Sequence, residues 1–567
     1  MPARLAALVL DLLLCANALA ALAILATGGG EFWLGTVHVR ARTAKNLLLL
    51  LLVLLPLRFR FGDRAILGLS SLHPQRIAAW AARLCSRLDR ATREIPRAPA
   101  LRIVTAGLLL SALVKILNAW FYYGFYSGDD VEIHEMTFAR LFQRPWQAWE
   151  LRSPLYPFLF LYPAQAAALA LGLDAPGSLV FAGRLVVVSF SSWNLWLLYR
   201  IGAREGGSPG AGLWAFFFLA TNQLHTRFAS SELPRTIAST FLLLCVGELL
   251  RRPPRAHRTA LASLWLAVSA ALRFSESIFL LPALILLFRE RRTRAALALG
   301  VAAPLVALSL LAVADALYGR PPLASLRAVV DYTLIEGRSS RGYQPAHWYL
   351  SHLGRWTNPF AAGLALYAAA RRPSWALAWL AVPVAVLSLL PHKEERYLVP
   401  VLPFLALLAG EAARDLVARA ARARSRAFAL WFLYGLVGAT LLEVDGFRFR
   451  RSEAAVDVAR ALVRHQAESV AIQDPWKAGG RLYLATVPRV EALAPEDLRR
   501  EDFLRSLLAR RDLEYLALAT QLLERAGIRE LFAAEGLREV PLPRSTGSGG
   551  WALFERPAAR SGRPGLR

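Results

Sequence analysis

The sequence of 567 residues contains few cysteines, and their spacing indicates no structural role. Cys15, Cys85 and Cys245 are scattered between apolar runs and a basic segment. This spacing fits neither a disulfide framework nor a metal-binding motif. The sequence also lacks a glycine-rich nucleotide-binding loop and a convincing internal repeat. These absences exclude a disulfide scaffold and give no support for a bound nucleotide.

Acidic residues are also scarce, because 41 Asp and Glu stand against 67 Lys and Arg and leave a formal net charge of +26. A pI near 10.9 could indicate nucleic-acid binding, but 56% of the residues are hydrophobic and the mean hydropathy is +0.38. A nucleic-acid-binding protein would not be this apolar. Long Leu/Ala/Val/Phe runs alternate with short arginine clusters, which predicts a polytopic membrane protein with no nucleic-acid partner.

Fourteen apolar segments are candidates for membrane helices. Segment 154–172 is the least suited to span, because three prolines interrupt its helical hydrogen bonds early. These are Pro154, Pro157 and Pro163. About 13 spans then remain. The candidate segments are 5–27, 46–57, 103–122, 154–172, 178–200, 210–221, 237–250, 259–275, 276–288, 295–317, 358–370, 374–391, 397–410 and 426–442.

Arginine clusters predict the orientation, because Lys and Arg in short loops mark the cytoplasmic side. This rule sends 318–357, the loop 392–396 and everything after about 443 to the opposite face. The amino terminus is then inside and the carboxyl terminus outside. The clusters lie at 58–97, 251–258, 289–294, 371–372 and 414–426.

Three regions follow from this pattern. Residues 1–100 are predicted to form an added two-helix membrane module with an arginine-rich cytoplasmic segment, and residues 101–442 the main transmembrane module. From 443 to 567, stretches such as "SVAIQ" and "LEYLAL" alternate with charged helical patterns. The predicted fold is therefore an all-α polytopic membrane protein with a small extracytoplasmic α/β domain and a disordered basic tail.

Carboxylates gather where the chain leaves span 103–122 on the outer face, and polar groups at one membrane face are functional candidates. The stretch "YSGDDVEIHE" contains Asp129, Asp130 and Glu135. Adjacent carboxylates repel, so one of the two aspartates is expected to have a raised pKa and to suit general-base work. The alternative is a solvated loop before an amphipathic helix. A divalent metal at Asp129, Asp130 and His134 would lack a second ligand set, so no cofactor is predicted.

The sharpest feature is "PHKEERYLVPVLPF", in which His392, Lys393, Glu394 and Arg396 stand between two apolar segments. The alternation of spans places this positive charge outside, where a topology signal would not put it. A compact His/Lys/Arg group is suited to hold an anionic headgroup such as a lipid phosphate. The alternative is a charged loop whose glutamates pair with its own cations.

Three further polar clusters are predicted at the same outer face. "WELRSPLYP" contains Glu150 and Arg152, "HTRFASSELPRT" contains Arg235, and "GYQPAHWYLSH" contains His347 and Trp348. Tryptophan at a membrane face is as often an interfacial anchor as a ligand contact, so both interpretations of Trp348 stay open.

An outward-facing acid and a cationic cluster at one face fit a particular reaction type. The acid would take a proton from an acceptor hydroxyl, while the cations would stabilise the charge on a departing lipid phosphate. This is glycosyl transfer from a polyprenyl-phosphate sugar in one inverting displacement. Because such a donor has a single phosphate and no nucleotide, the usual divalent clamp on a diphosphate is not required.

"HKEERYLVPVLPF" resembles the "HKE-R-F/Y" signature of the family 22, GT-C class mannosyltransferases. These enzymes extend the glycosylphosphatidylinositol core and the N-glycan precursor from dolichyl-phosphate mannose. Four more blocks are similar to family segments in the same order, and all five together cover residues 103–410. They are "AWELRSPLYP", "TRFASSELPRT", "LRFSESIFLLP" with Arg273, and "GYQPAHWYL". Where the family has "HPDE", this chain has "YSGDD"; the resemblance therefore carries the catalytic acid onto Asp129, with Asp130 beside it and the choice between them open.

The resemblance implies an inverting GT-C glycosyltransferase that moves a hexose, mannose in the family, to a hydroxyl of a lipid-linked glycan or glycolipid. Asp129 would be the base, and His392, Lys393 and Arg396 would hold the donor phosphate. The substrate groove that it implies contains Glu135, Glu150, Arg152, Arg235, Arg273, His347, Trp348 and Glu394.

The arginine-rich, lysine-poor composition suggests a bacterial genome of high GC content. The protein would then be a multi-pass inner-membrane protein with a periplasmic site and a bacterial polyprenyl-phosphate carrier. In a eukaryote the site would face the ER lumen. Two alternatives are another GT-C transferase, which adds aminoarabinose to lipid A or mannose to protein hydroxyls, and a non-catalytic lipid-binding or transport protein. The "HKEER" and "HWY" blocks argue against the first, and the missing repeat argues against the second.

Overall fold

The computed structural model of the protein is mostly helical, with strands confined to an amino-terminal hairpin and a carboxyl-terminal sheet. All structural statements below refer to the residues that it describes. They are 9–17, 19–20, 30–34, 37–41, 50–51, 54, 74–144, 151–336, 343–372, 374–422, 432–438, 453–523, 528–542 and 550–556.

Many helices of the membrane part pack against their neighbours along the chain. They are α1 (Pro74–Glu94), α2 (Arg97–Phe121), α3 (Gly128–Leu141), α4 (Tyr162–Ala170), α5 (Pro176–Glu205), α6 (Pro209–Ala220), α7 (Gln223–Phe228), α8 (Arg235–Leu249), α9 (Ala256–Leu272), α10 (Leu280–Arg289), α11 (Thr293–Leu317), α12 (Ala324–Val330), α13 (Trp348–Ser351), α14 (Leu353–Trp356), α15 (Pro359–Arg371), α16 (Trp375–Leu389) and α17 (Leu402–Arg422).

Within the described ranges, three helices, α2, α5 and α11, are long and apolar enough to cross a membrane. Helices α15 and α16 together meet the same criterion as one broken span. One side of α2 is outward-facing and apolar, as lipid contact requires, since Leu109, Leu113 and Trp120 are exposed. The predicted membrane character agrees with these helices, whereas the count of about 13 spans stays a prediction.

The segment that was predicted not to span, 154–172, begins irregularly. A π-helix at Pro157–Leu161 leads into α4, and the two together form only a short apolar helix, Pro157–Ala170. Pro157 occupies the first turn of the π-helix, and α4 has a proline in its own first turn. A proline there removes a backbone donor, so the irregular start has the expected cause.

The amino-terminal region contains elements beyond the two predicted helices, much of whose sequence lies outside the described residues. An antiparallel hairpin joins β1 (Gly30–Leu34) to β2 (Val37–Ala41), and no pattern in the sequence had indicated it. The arginine-rich segment that follows forms α1, whose Ala81 and Cys85 are fully buried in the core. Helix α1 packs against α6 and α17, so this segment is part of the main helical body.

The carboxyl-terminal region is an α/β domain, as predicted. Its five-stranded sheet has the order β4-β3-β5-β7-β6, in which β3 is parallel to β4 and β5, and β7 is antiparallel to β5 and β6. The inner strand β3 is buried along its length, as a strand covered on both faces should be. The strands are β3 (Ser469–Gln473), β4 (Arg489–Leu493), β5 (Tyr515–Ala519), β6 (Arg538–Val540) and β7 (Trp551–Glu555), and the helices are α18 (Glu453–Arg464), α19 (Gly480–Leu484), α20 (Glu501–Ala509), α21 (Thr520–Leu523) and α22 (Ile528–Ala534).

This domain docks on the helices that follow the first span. One hydrophobic cluster joins Phe125, Val131 and Phe138 of the membrane part to Val458 and Leu482 of the domain. The Tyr123 hydroxyl donates to Asp457 Oδ1 at 2.5 Å across the same junction. The domain therefore holds α3, the helix that begins with the two candidate catalytic aspartates.

Candidate active site

The side chains of the neighbouring residues Asp129 and Asp130 have different surroundings at the start of α3. Asp130 is fully buried, and its Oδ2 accepts hydrogen bonds from the backbone N–H groups of Tyr126 and Ser127, each at 3.0 Å. It thus closes the amino-terminal turn in a capping box with Ser127. The Asp129 side chain remains 21% exposed and points to the arginines described next. This geometry favours Asp129 over Asp130 as the group that meets a substrate.

Asp129 lies at the centre of a chain of alternating charges. Its carboxylate pairs with Arg152 on one side and with Arg396 on the other, where Oδ2 and Nη1 are 2.9 Å apart. Arg152 also contacts Glu132, with Nε 2.5 Å from Oε2. Arg396 also pairs with Glu394. Each guanidinium thus bridges two carboxylates, which fixes its position better than one ion pair would.

The electrostatics of Asp129 differ from the expectation of a raised pKa, which is wrong for this residue. Burial alone would raise the Asp129 pKa. The charges of Arg152, Arg396 and Arg273 outweigh burial and bring the pKa well below its ordinary range. Burial does raise the pKa of Glu132, despite the nearby Arg152. Asp130 is turned into the capping turn, so the guanidinium groups dominate the electrostatics of Asp129.

Two further arginines stand near this charge chain. Arg273 caps the end of α9, and its charge acts on Asp129. Among the described residues, no carboxylate lies within ion-pair distance of Arg273. Arg235, the first residue of α8, is buried over the ring of Tyr397 at 4.2 Å, and its Nη1 lies 3.5 Å from Glu276 Oε1. Of Arg273 and Arg235, Arg273 is therefore the one whose guanidinium is available to bind an anion.

The "HKEER" residues divide into two groups. Arg396 faces Asp129, whereas the Lys393 ammonium donates to the backbone carbonyls of Gln344, at 2.9 Å, and Leu390. His392 faces Glu394 of the same motif, and its Nε2 lies 3.7 Å from Glu394 Oε1. The expected phosphate role therefore gains geometric support at Arg396, while Lys393 ties its loop to the neighbouring segment.

The residues expected from the "HWY" block are placed differently from one another. His347 is exposed, but Trp348 is 8% exposed within the main hydrophobic core, where its ring stacks on His352 at 4.5 Å. A tryptophan packed in this way stabilises the helical body. The expectation that Trp348 lines a substrate groove is not supported by this position.

The glutamates and His134 are the remaining predicted residues. Glu135 does not join the charge chain, because its Oε1 accepts from the backbone N–H of Arg481 at 2.7 Å and so anchors the carboxyl-terminal domain. Glu150 lies outside the described residues. His134 contacts Gln165, with Nδ1 and Nε2 2.8 Å apart, and faces away from Asp129 toward Glu232. No group of metal ligands is formed within the described ranges.

A turn of the carboxyl-terminal domain comes close to the site, and the sequence had not indicated it. Trp476 packs on the first residue of α3, so that a Cβ at Gly128 would be 3.7 Å from Trp476 Cγ. The turn has left-handed backbone at Asp474, Gly479 and Gly480, with φ of 46°, 90° and 52°. The "GG" pair in "DPWKAGG" is the sequence signal for such a turn. It places Trp476 one residue from the catalytic candidate.

A helical body that carries a carboxylate between arginines, next to an α/β domain, is compatible with a membrane glycosyltransferase of the GT-C class, which the family match given below supports. The fold is similar to the crystal structure of ArnT from Cupriavidus metallidurans bound to undecaprenyl phosphate, with a TM-score of 0.54 and 13% identity over 83% of this chain and 100% of that one. The apo structure of the same protein gives a TM-score of 0.51 and 12% identity over 82% and 100%.

The model of the Alg9-like mannosyltransferase family matches residues 129–480, which is more than half of the chain. The protein therefore belongs to the Alg9-like mannosyltransferase family. The match begins at Asp129 and ends at Gly480, so it includes both the charge chain and the turn that carries Trp476. No curated protein sequence matches the chain.

Proposed function

We propose that this protein transfers mannose from a polyprenyl-phosphate donor to a hydroxyl of a lipid-linked glycan or glycolipid, with inversion, at the extracytoplasmic face of the membrane. The observation that carries the proposal is the position of Asp129, an accessible carboxylate between Arg152 and Arg396. The family supports mannose as the sugar. The undecaprenyl phosphate bound to ArnT, which has a similar fold, supports a polyprenyl-phosphate carrier.

Asp129 serves as the general base. It stays ionised without substrate because guanidiniums lower its pKa, and a strongly lowered pKa makes a weak base. The donor changes this balance, since its phosphate competes for Arg396. When Arg396 turns to the phosphate, Asp129 loses one of its two cations and becomes more basic. Donor binding thereby prepares the base for the acceptor.

The arginines hold the leaving group. Arg396 and Arg273 bind the donor phosphate, and Arg152 stays with Asp129 because Glu132 and the Arg320 guanidinium, which donates to the Arg152 carbonyl at 3.0 Å, fix its position. The bond from the anomeric carbon to the phosphate oxygen breaks as the acceptor oxygen attacks the opposite face of that carbon. The acceptor proton passes to Asp129, and polyprenyl phosphate leaves.

The segments that form the site were all predicted on one side of the membrane. The chain after α2, the 318–357 region and the 392–396 loop meet here, since the backbone N–H of Gln344 donates to the Pro391 carbonyl at 3.0 Å and Arg396 pairs with Asp129. Their convergence supports one catalytic face. We assign that face to the periplasm of a bacterium, where the acceptor is a lipid-linked glycan or glycolipid.

The test uses synthetic decaprenyl-phosphate mannose with the full chain in lipid nanodiscs. The wild-type protein should release decaprenyl phosphate when a membrane lipid extract supplies acceptors, and Asp129→Asn should lower the rate by about 100-fold or more. Donor binding by Asp129→Asn should persist, which separates a lost base from a lost fold. Asp502→Asn, an exposed carboxylate of the carboxyl-terminal domain, is the matched control. Full activity of Asp129→Asn would refute the base assignment.

A further inference from the structure

A cavity whose lining does not include Asp129 lies beside the carboxyl-terminal end of α3. It has a volume of about 980 Å³ and runs between the membrane helices and the carboxyl-terminal domain. We name it the interface groove. Its membrane wall comes from the end of α2, the end of α3 and the beginning of α5, and its other wall comes from α18 and α19. The volume suits a lipid headgroup with part of its chains.

The apolar wall of the interface groove continues a stripe on the lipid-facing side of α2. Trp120 and Phe121 line the groove and are 61% and 56% exposed. Leu109, Leu113 and Leu117 are exposed on the same helix at a spacing of four residues, which places them on one face. An acyl or prenyl chain that lies along this stripe in the bilayer would lead its headgroup into the groove.

The polar end of the groove is basic. Arg144, Arg460 and Arg464 line it, and Arg144 and Arg464 have no carboxylate within ion-pair distance among the described residues. Asp457 also lines the groove, but it is bound by the Tyr123 hydroxyl and lies 3.7 Å from Arg460 Nη1. The remaining carboxylate is Asp174.

Arg460 is held at the junction of the two walls. Its guanidinium lies over the Tyr123 ring at 4.3 Å, and a Cβ at Gly177 would be 3.4 Å from Arg460 Nη2. The first turn of α5 therefore approaches this cation closely. A fixed arginine beside two unpaired ones, above an apolar wall, is complementary to a lipid with a negatively charged phosphate.

We propose that the interface groove binds an anionic phosphate lipid, with its chains against Trp120 and Phe121 and its phosphate between Arg144, Arg460 and Arg464. The bound lipid is separate from the reacting substrates, because neither Asp129 nor Arg396 lines the groove. Both an acidic membrane phospholipid and a polyprenyl phosphate have this chemistry. In either case the lipid would bridge the membrane helices and the domain that carries Trp476.

The experiment counts bound lipids by native mass spectrometry of the full chain released from nanodiscs. The probes are dioleoyl phosphatidylglycerol and dioleoyl phosphatidylcholine, which share the phosphate but differ in net charge. Wild-type protein should retain phosphatidylglycerol preferentially, and Arg460→Gln/Arg464→Gln should reduce that retention by about tenfold or more. Arg500→Gln/Arg505→Gln removes the same charge from an exposed face of the same domain and should retain the lipid as the wild type does.

Equal phosphatidylglycerol retention by the groove variant and the wild type would overturn the proposal. The single variant Arg464→Gln, at an exposed residue, gives a second reading if the double variant loses its fold. Decaprenyl phosphate separates the two sources. If it displaces phosphatidylglycerol from the wild type, the groove accepts polyprenyl phosphates too; if it binds the groove variant as tightly as the wild type without displacing phosphatidylglycerol, the groove is a phospholipid site.

Discussion

Asp129 Oδ2 and Arg396 Nη1 lie 2.9 Å apart, although the two residues are separated by most of the membrane part of the chain. The contact joins the first turn of α3 to the 3-10 helix Glu395–Val401, which precedes α17. It gives each residue a partner before any substrate is bound, and it makes the basicity of the carboxylate depend on the position of the guanidinium. A change at Arg396 should therefore be visible in the titration of Asp129.

Arg396→Gln should shift the acid limb of the pH profile of kcat/KM to higher pH. The wild-type carboxyl has a lowered pKa because cations stabilise its charge. Removal of one cation raises that pKa toward the ordinary value of about 4, so the fraction of ionised base falls as the pH approaches it from above. The rate of decaprenyl phosphate release, measured from about pH 3 to pH 7, checks the shift.

The control for this profile is Arg327→Gln, which removes an arginine that is 86% exposed and pairs with Asp331, four residues further along the chain. Its acid limb should match that of the wild type. If Arg396→Gln lowers kcat/KM equally at every pH, then Arg396 acts on the donor alone and the coupling to Asp129 is wrong.

Arg273→Gln should weaken donor binding by about 10-fold to 100-fold, the usual loss for a charged hydrogen bond to phosphate. It should leave thermal stability unchanged or slightly higher, because Arg273 has no ion-pair partner among the described residues and is repelled by Arg235. Binding of decaprenyl-phosphate mannose and the melting temperature in detergent are the two measurements. A large loss of stability with unchanged donor affinity would show that Arg273 has a structural role.

Lys393→Met should show the opposite pattern. The ammonium donates to two backbone carbonyls, of Gln344 and Leu390, and Lys393 is only 4% exposed. Loss of these bonds should lower the free energy of unfolding by about 1–3 kcal/mol. Donor affinity should change by less than about threefold, because the ammonium is bound to these two carbonyls. A threefold change corresponds to about 0.65 kcal/mol. A strong loss of donor affinity at full stability would return Lys393 to the phosphate site.

The sequence predicted the architecture of the protein better than the contacts of the individual site residues. Apolar runs and arginine clusters predicted the membrane part. Short apolar stretches that alternate with charged helical patterns predicted the α/β domain. The placement of a cationic segment on the face opposite the arginine clusters drew attention to Arg396, which does meet Asp129. These features depend on local composition, which is why they could be read without the fold.

The sequence could not predict which distant residue each side chain of the site contacts. Asp129 and Asp130 are neighbours in sequence, and only the register of the α3 capping turn turns one inward. Lys393 and Arg396 share one short motif, yet one binds carbonyls and the other a carboxylate. The family resemblance placed Glu135 in the substrate groove, and nothing in the neighbouring sequence showed that the backbone of Arg481 would contact it instead.

Gly479→Ala tests whether the docked turn of the carboxyl-terminal domain supports the site. Gly479 has a φ of 90°, and a Cβ there would collide with the Tyr483 ring, so alanine adds both backbone strain and a clash. Gly536 is the matched control, because its φ of 75° carries similar strain but nothing lies within 4 Å of a Cβ. Gly536→Ala should cost about 1–2 kcal/mol of stability and leave activity unchanged, whereas Gly479→Ala should cost about 2–4 kcal/mol.

Because the same turn holds Trp476 on Gly128, Gly479→Ala should also lower kcat and increase hydrogen exchange in the first turn of α3. Equal kcat values for the two variants would mean that the turn anchors the domain without shaping the site.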